Sequence, residues 1–253
     1  MSQRFSLQGK NAIITGGTRG IGLAIARGFL EAGATVTICS RKQESIDSAM
    51  AELSDHQETL QAVSAHVGKA DALPQLLEAA EETFGPVNIL INNAGTNPYY
   101  GPILDSDVTA WDKTMEVNLR GPYLLSQLVA RKMIEHGSGA ILNIASIAGL
   151  TASPMQGIYS VTKAGLIMLT KVLARELGTQ GIRVNCICPG VVKTRLSQAL
   201  WSDPETEKHY AAMKALGRIG ETDELVGAAI YLSSDASSFT TGATLTIDGG
   251  MVI

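Results

Sequence analysis

"NAIITGGTRGIG" occupies residues 11–22. An apolar strand pattern runs into a threonine and a cluster of glycines. The glycines then open "IGLAIARGFLEAG", whose apolar residues recur at helical spacing up to Gly33. The stretch reads as strand, tight turn and helix. Gly16, Gly20 and Gly22 tolerate positive φ and let backbone N–H groups approach an anion closely. The helix N-terminus adds partial positive charge at the same place. With Thr18, Arg19 and Ile21 they form a candidate phosphate cradle. The spacing is G-x-x-x-G-x-G, not the G-x-G-x-x-G of longer dinucleotide folds. Taken alone, the loop also suits a plain strand-to-helix turn.

The same alternation continues outward. "TVTICS" is a second strand and "QESIDSAMAELS" a helix; "LQAVSA" is a third strand and "ADALPQLLEAAEETFG" a helix. "VNILINNAG" and "GAILNIAS" read as strands four and five, separated by a helical stretch from about Trp111 to His136. "GIRVNCICPG" and "ATLTIDGG" are strands six and seven, separated in part by an excursion from Val191 to Gly220. Strands alternating with helices predict an α/β parallel sheet covered on both faces. No repeat, linker or composition break interrupts it, so residues 1–253 are expected to form one domain. The segments Leu119–Ile134 and Ala164–Leu177 are apolar over more than one stripe and need cover on two sides. One cover is the sheet; the other is a second subunit or deeper packing.

The chain has 253 residues, 45% hydrophobic and 17% charged, with a formal net charge of -4. Nothing is basic enough to seek nucleic acid or an anionic membrane. No uninterrupted apolar run approaches the roughly 18 residues of a membrane span. The first dozen residues leave no room for a signal peptide, and "GGMVI" carries no lipidation or retention signal. The three cysteines, Cys39, Cys186 and Cys188, are expected to be buried thiols in a reducing cytoplasm. The four histidines show no ligand spacing, so no metal site is expected.

The second strand ends in "CSRK". An NAD site usually places an acid here for the ribose 2′-OH, whereas an NADP site places Arg for the 2′-phosphate. Ser40 and Arg41 stand here instead of an acid, and Arg19 offers a second guanidinium. Two such forks suit a phosphate dianion, which predicts NADP(H). Farther along, "YSVTK" puts Tyr159 four residues before Lys163, on one face if the segment is helical.

These stretches together resemble the short-chain dehydrogenase/reductase family. "TGGTRGIG", "NNAG" (92–95), "VNL" around Asn118, "IAS" ending at Ser146, "YSVTK" and "PGVVKT" (189–194) occur in the family's order across essentially the whole chain. The resemblance implies a Rossmann-like doubly wound sheet of seven parallel strands, assembled as a homotetramer or homodimer. It implies that Tyr159 exchanges the proton in carbonyl reduction or alcohol oxidation. Lys163 would bind the nicotinamide ribose and lower the Tyr159 pKa. Ser146 would bond the substrate oxygen, and Asn118 would hold a relay water. Asn93, Ala94 and Gly95 would line the adenine-ribose side. Pro189, Gly190, Val192 and Thr194 would hold the nicotinamide amide and nearby phosphate. Bringing a phenol from pKa about 10 to near 7 needs roughly 4 kcal/mol of differential stabilisation. A nearby ammonium acts in that direction. One departure stands out: where the family often has Asp before an apolar residue, to contact adenine, this chain has His66 and Val67.

The substrate is expected to be a small carbonyl or alcohol. Pro98, Tyr99, Ala148, Met155 and Gln156 are candidate walls, and Leu196–Tyr210, with Leu200 and Trp201, a candidate lid. "SRKQ", "HVGKA", "NPYYGPILD" and "ALWSD" resemble the carbonyl reductase and NADP-retinol dehydrogenase branch. The alternatives are a 3-oxoacyl-(acyl carrier protein) reductase, with Arg120, Arg131 and Lys132 as candidate carrier contacts, and a non-catalytic NADP(H)-binding regulator.

Overall fold

The computed structural model describes residues 3–253. Its strands are β1 (Asn11–Thr15), β2 (Thr35–Ser40), β3 (Leu60–Ser64), β4 (Val87–Asn92), β5 (Gly139–Ile144), β6 (Ile182–Pro189) and β7 (Thr244–Ile247). They form one seven-stranded sheet in the order β3-β2-β1-β4-β5-β6-β7, parallel throughout. The chain winds outward from β1 to β3, then returns to start β4 on the other side of β1. Loops leaving β1 and β4 therefore diverge, and a crevice opens at their carboxyl ends. This is the α/β, doubly wound architecture expected.

The helices are α1 (Gly20–Glu31), α2 (Gln43–Glu52), α3 (Ala72–Phe84), α4 (Val108–Met115), α5 (Gly121–His136), α6 (Gly157–Leu177), α7 (Pro204–Ala212) and α8 (Val226–Ser233). Alternate residues of one strand feed opposite layers. Ala12 and Ile14 of β1 and Ile89 and Ile91 of β4 join Ile25 and Phe29 of α1 and Ile230 of α8. Ile13 and Leu90 point the other way, to Leu73 and Leu76 of α3 and Leu125 and Val129 of α5. Both faces are covered, which is why β1 reads as a continuous apolar run. Each fully buried Leu, Ile or Phe contributes about 1.5–3 kcal/mol.

Three sequence expectations are adjusted. The long helix begins at Val108 rather than Trp111, because the Asp107 side chain accepts from the Ala110 N–H and caps it. It then widens into a π-helical turn at Glu116–Arg120 before α5. Helix α8, read from "VGAAIYLS", was not anticipated; its apolar residues are too evenly spread to show a period. Finally, Gly157–Gln180 is long and apolar enough to cross a membrane by length and composition, with a mean hydropathy of 1.2. Its polar residues break any uninterrupted apolar run, and its inner face packs on the sheet through Leu166, Ile167 and Leu173.

Candidate active site

Thr15 closes β1, and its hydroxyl ties two loops together. It donates to the Ile91 carbonyl (3.2 Å) and accepts from the N–H groups of Asn93 (3.0 Å) and Ala94 (3.1 Å). The Asn93 amide answers by donating to the carbonyls of Thr15 (2.9 Å) and Gly16 (3.1 Å). The "NNAG" segment is thereby laced to the glycine loop. Gly16 and Gly20 have φ of 63° and 55°, the left-handed region glycine supplies without strain. A Cβ on Gly16 would stand 2.9 Å from the Ala94 Cα. Helix α1 then starts with no side-chain cap, so its first N–H groups remain available to an anion.

Beside this loop lies a cleft of about 420 Å³. Gly16, Thr18, Arg19, Gly20 and Ile21 form one wall, and Ser40 and Arg41 the end of β2. His66 and Val67 follow β3, Asn93, Ala94 and Gly95 follow β4, and Thr194 closes the near end. The glycine cradle, the uncapped helix start and the two arginines fit a dinucleotide phosphate chain. Gly22, expected among the cofactor contacts, does not line the cleft. A Cβ there would collide with Asn93 Nδ2 and the Gly16 carbonyl, so Gly22 permits the close packing behind the cradle. Pro189, Gly190 and Val192 also lie outside the cleft; Gly190 is pressed against Asp248, 2.8 Å from where its Cβ would be. Lys42, Ser45, Thr96, Lys113, Val117 and Arg195 line the cleft and were not anticipated. Lys42 and Ser45 directly follow Arg41 and were within reach of a sequence argument. Lys113 and Val117 reach the cleft from α4 and the π turn, a placement only the topology reveals.

The second half of the site sits beyond β5. Asn118 is fully buried in the π turn. Its side chain clamps the Thr96 backbone on both sides, accepting from the N–H (2.8 Å) and donating to the carbonyl (2.8 Å), and it also donates to Thr162 Oγ1 (3.2 Å). Lys163 is 3% exposed and donates to the Ile144 carbonyl at 2.8 Å. Its Nζ lies 5.5 Å from the centre of the half-buried Tyr159 ring. Helix α6 thus brings Tyr159 and Lys163 to one place, and Gly95 stands opposite, its Cβ position 3.7 Å from both Lys163 Nζ and Asn118 Oδ1. Ser146 begins the short turn after β5, where its hydroxyl accepts from the Ala148 N–H (3.1 Å) and faces Tyr159.

In the chain alone, the electrostatics of the pair are set by burial. Burial pushes the Tyr159 phenol up to about 12; the Ser146 hydroxyl opposes this and the Cys188 thiol adds to it. Burial likewise lowers Lys163 to about 8, against the opposing pull of Cys186 and Cys188. Lys163, 5.5 Å from the ring centre, is not among the groups that move the phenol in the chain alone; desolvation sets the direction. At neutral pH the arrangement presents a protonated phenol beside a serine hydroxyl. That is a proton donor set against a hydrogen-bond donor for one substrate oxygen. Among the described residues, no group of three His, Cys, Asp or Glu side chains is placed to hold a metal.

Comparison with known proteins agrees with this geometry. A family model described as Enoyl-(Acyl carrier protein) reductase matches residues 16–252. The chain belongs to the short-chain dehydrogenase/reductase family. It is 38% identical over 250 residues to the human dehydrogenase/reductase SDR family member 4, covering 99% of this chain and 90% of that one. The Caenorhabditis elegans protein of the same name is 41% identical over 248 residues, covering 96% and 95%. Among solved structures, a gluconate 5-dehydrogenase from Burkholderia cenocepacia in complex with NADP and tartrate superposes with a TM-score of 0.93. That pair is 37% identical and covers 98% of this chain and 97% of the other. The protein is therefore an oxidoreductase of the short-chain family.

Proposed function

We propose that this enzyme interconverts a ketone or aldehyde and the corresponding alcohol, with NADP(H) as hydride carrier. The observation that carries the reading is the convergence of Asn118, Ser146, Tyr159 and Lys163 beside Gly95 and Thr96, which line a cleft that also holds Arg19 and Arg41 and no acid. NADP(H) bound along the cleft would supply the hydride. Tyr159 gives its proton to the carbonyl oxygen, which Ser146 orients. Lys163 holds the ribose side, and Asn118 fixes the backbone at Thr96 and positions a relay water. The NADP named with the Burkholderia enzyme supports the cofactor choice.

The carrier-protein alternative gains nothing from two of its three candidate residues. Arg120 already donates to the Gly68 carbonyl (2.9 Å), and Lys132 is paired with Glu135 (3.1 Å). The residues from Val191 to Gly220 act as a substrate lid, with Trp201 Nε1 donating to the Thr194 carbonyl (3.2 Å). The functional unit is a homotetramer or homodimer: Val161, Met168 and Val172 leave an apolar stripe on the outer face of α6, each more than 40% exposed. It works in the cytoplasm, where its three thiols stay reduced.

Oxidation of NADPH and NADH, followed by absorbance over simple ketones, aldehydes, diketones, a keto sugar acid and a 3-oxoacyl thioester, tests this. NADPH-dependent turnover on ketones or diketones is expected; turnover only on the thioester would replace the reading. Arg41→Asp should weaken NADPH binding far more than NADH binding, because it sets a repelling charge against the 2′-phosphate. Equal loss for both would remove Arg41 from that role.

A further inference from the structure

On the cleft wall, Lys113 and His66 make a contact that a neutral histidine cannot satisfy. The Gly68 backbone N–H donates to His66 Nδ1 at 3.0 Å. That uses the ring's one lone pair and assigns the proton to Nε2. Yet Nε2 lies 3.0 Å from Lys113 Nζ, which is also a donor. The Gly68 N–H is fixed by the backbone, whereas the Lys113 side chain is 34% exposed and can swing. Two donors, Nε2–H and Nζ–H, thus converge where an acceptor atom would satisfy both. Glu116 meets Lys113 only at 3.4 Å. The ring stays neutral: burial lowers its pKa most, Lys113 and Arg41 add to this, and Glu116 opposes.

The surroundings say what kind of acceptor fits. Val67 and Val117, each 8% exposed, line the same part of the cleft, Val117 one helical turn beyond Lys113. Arg41 ends β2, where the adenosine ribose of a dinucleotide sits. Strand β3 neighbours β2 on that side and delivers His66. Apolar walls with a polar edge, next to the ribose position, describe a slot for a flat base.

We propose that Lys113 and His66 read the purine of the cofactor by donating to acceptor atoms on its edge, and that the 6-amino group is not required. Adenine offers N1 to such donors; hypoxanthine offers O6. An aspartate in place of His66 would instead accept from the 6-amino group and select adenine. This rests on the dinucleotide reading of the cleft.

Fluorescence titration with NADPH, NADH and their hypoxanthine analogues, deamino-NADPH and deamino-NADH, tests it. The wild-type protein should bind deamino-NADPH as tightly as NADPH or up to about tenfold tighter, the range of a charge-assisted hydrogen bond. Lys113→Met should abolish any gain, and His66→Asp should turn the ratio in favour of NADPH. A wild-type preference of tenfold or more for NADPH over deamino-NADPH would overturn the proposal. So would a wild-type gain for deamino-NADPH that Lys113→Met leaves unchanged. If Lys113→Met weakens NADPH but not NADH at a constant base ratio, the pair serves the 2′-phosphate and the proposal falls. Should only the non-phosphorylated cofactors bind, the NADP(H) assignment fails, while deamino-NADH against NADH still decides the base. Failure of all four to bind would overturn both readings.

Discussion

The two ends of the site are built differently. At the cofactor end, Thr15, Asn93 and the glycine loop are joined by backbone and amide hydrogen bonds between 2.9 and 3.1 Å, with no space for a Cβ. At the substrate end, α7 buries none of its residues. It is held by the Lys193–Glu207 ion pair (3.0 Å), by Lys214 Nζ donating to the Tyr210 carbonyl (2.8 Å), and by the hydroxyl contact between Tyr210 and Tyr100. One end is laced by a buried hydroxyl and an amide bonded to main chain, and the other by longer side chains around a helix that buries none of its residues. Carriers of one kind suit the rigid end, and varied substrates suit the adjustable one.

The chemistry lies between the two ends, so its loss should leave both standing. Tyr159→Phe removes the proton donor and is expected to lower kcat about 10²–10⁴-fold. Melting temperature and NADPH affinity should be nearly unchanged. A variant that kept turnover would show that the proton comes from elsewhere. Gly22→Val attacks the rigid end instead. Its side chain would strike Asn93 Nδ2 and the Gly16 carbonyl, neither of which can retreat without breaking the lacing. Overpacking of this kind costs about 1–3 kcal/mol, and here it should also abolish cofactor binding. Calorimetry with a binding titration reads both; wild-type affinity in the variant would mean the loop is more yielding than its hydrogen bonds imply.

Lys163 sets stability against function. Its pKa is lowered to about 8, so at pH 7 the folded protein holds a buried ammonium that the unfolded chain holds more easily. Between pH 8 and the ordinary lysine value the unfolded state binds the extra proton, so this lysine's penalty is full below pH 8 and fades as pH rises. Tyr159 acts oppositely at higher pH: its phenol is pushed up to about 12, so its contribution is lost as pH rises from about 10 to 12. Lys163→Met should therefore stabilise the protein at pH 7 by up to about 3 kcal/mol, less the lost bond to Ile144, while turnover collapses. Denaturant unfolding at pH 7 and pH 10 checks this. A gain that does not shrink at the higher pH would assign the effect to packing rather than charge.

Much of the rigid end was legible in the sequence, because it is made of residues adjacent in the chain. "TGGTRGIG" and "CSRK" each carry a local reason for their composition, and Tyr159 and Lys163 share a helix face by spacing alone. The parallel sheet followed from the alternation of apolar runs with helices. What was not legible depends on distance. Lys113 and Val117 enter the cleft from α4 and the π turn, far along the chain from the β2 and β3 loops they join there. Gly22 looked like a ligand contact until the Asn93 amide was seen behind it. The pKa of Tyr159 was judged from its lysine neighbour, whereas burial, which no short motif reports, decides it.

The smallest expected effect falls at the adjustable end and sharpens the comparison most. Lys193 pairs with Glu207 of α7 at 3.0 Å and with Glu221 at 3.6 Å, each side chain more than a third exposed. Exposed pairs of this kind are worth about 0.2–1 kcal/mol, so Glu207→Gln should barely move the melting temperature. The lid is held by few other contacts, so the same change should still raise KM a few-fold and speed product release. Affinity for NADPH should hold constant, because the laced end does not touch α7. Stopped-flow measurement of release, beside a cofactor titration, distinguishes the two ends directly. If cofactor affinity falls in step with KM, the lid and the glycine loop move as one body, and the division between a rigid and an adjustable end does not hold.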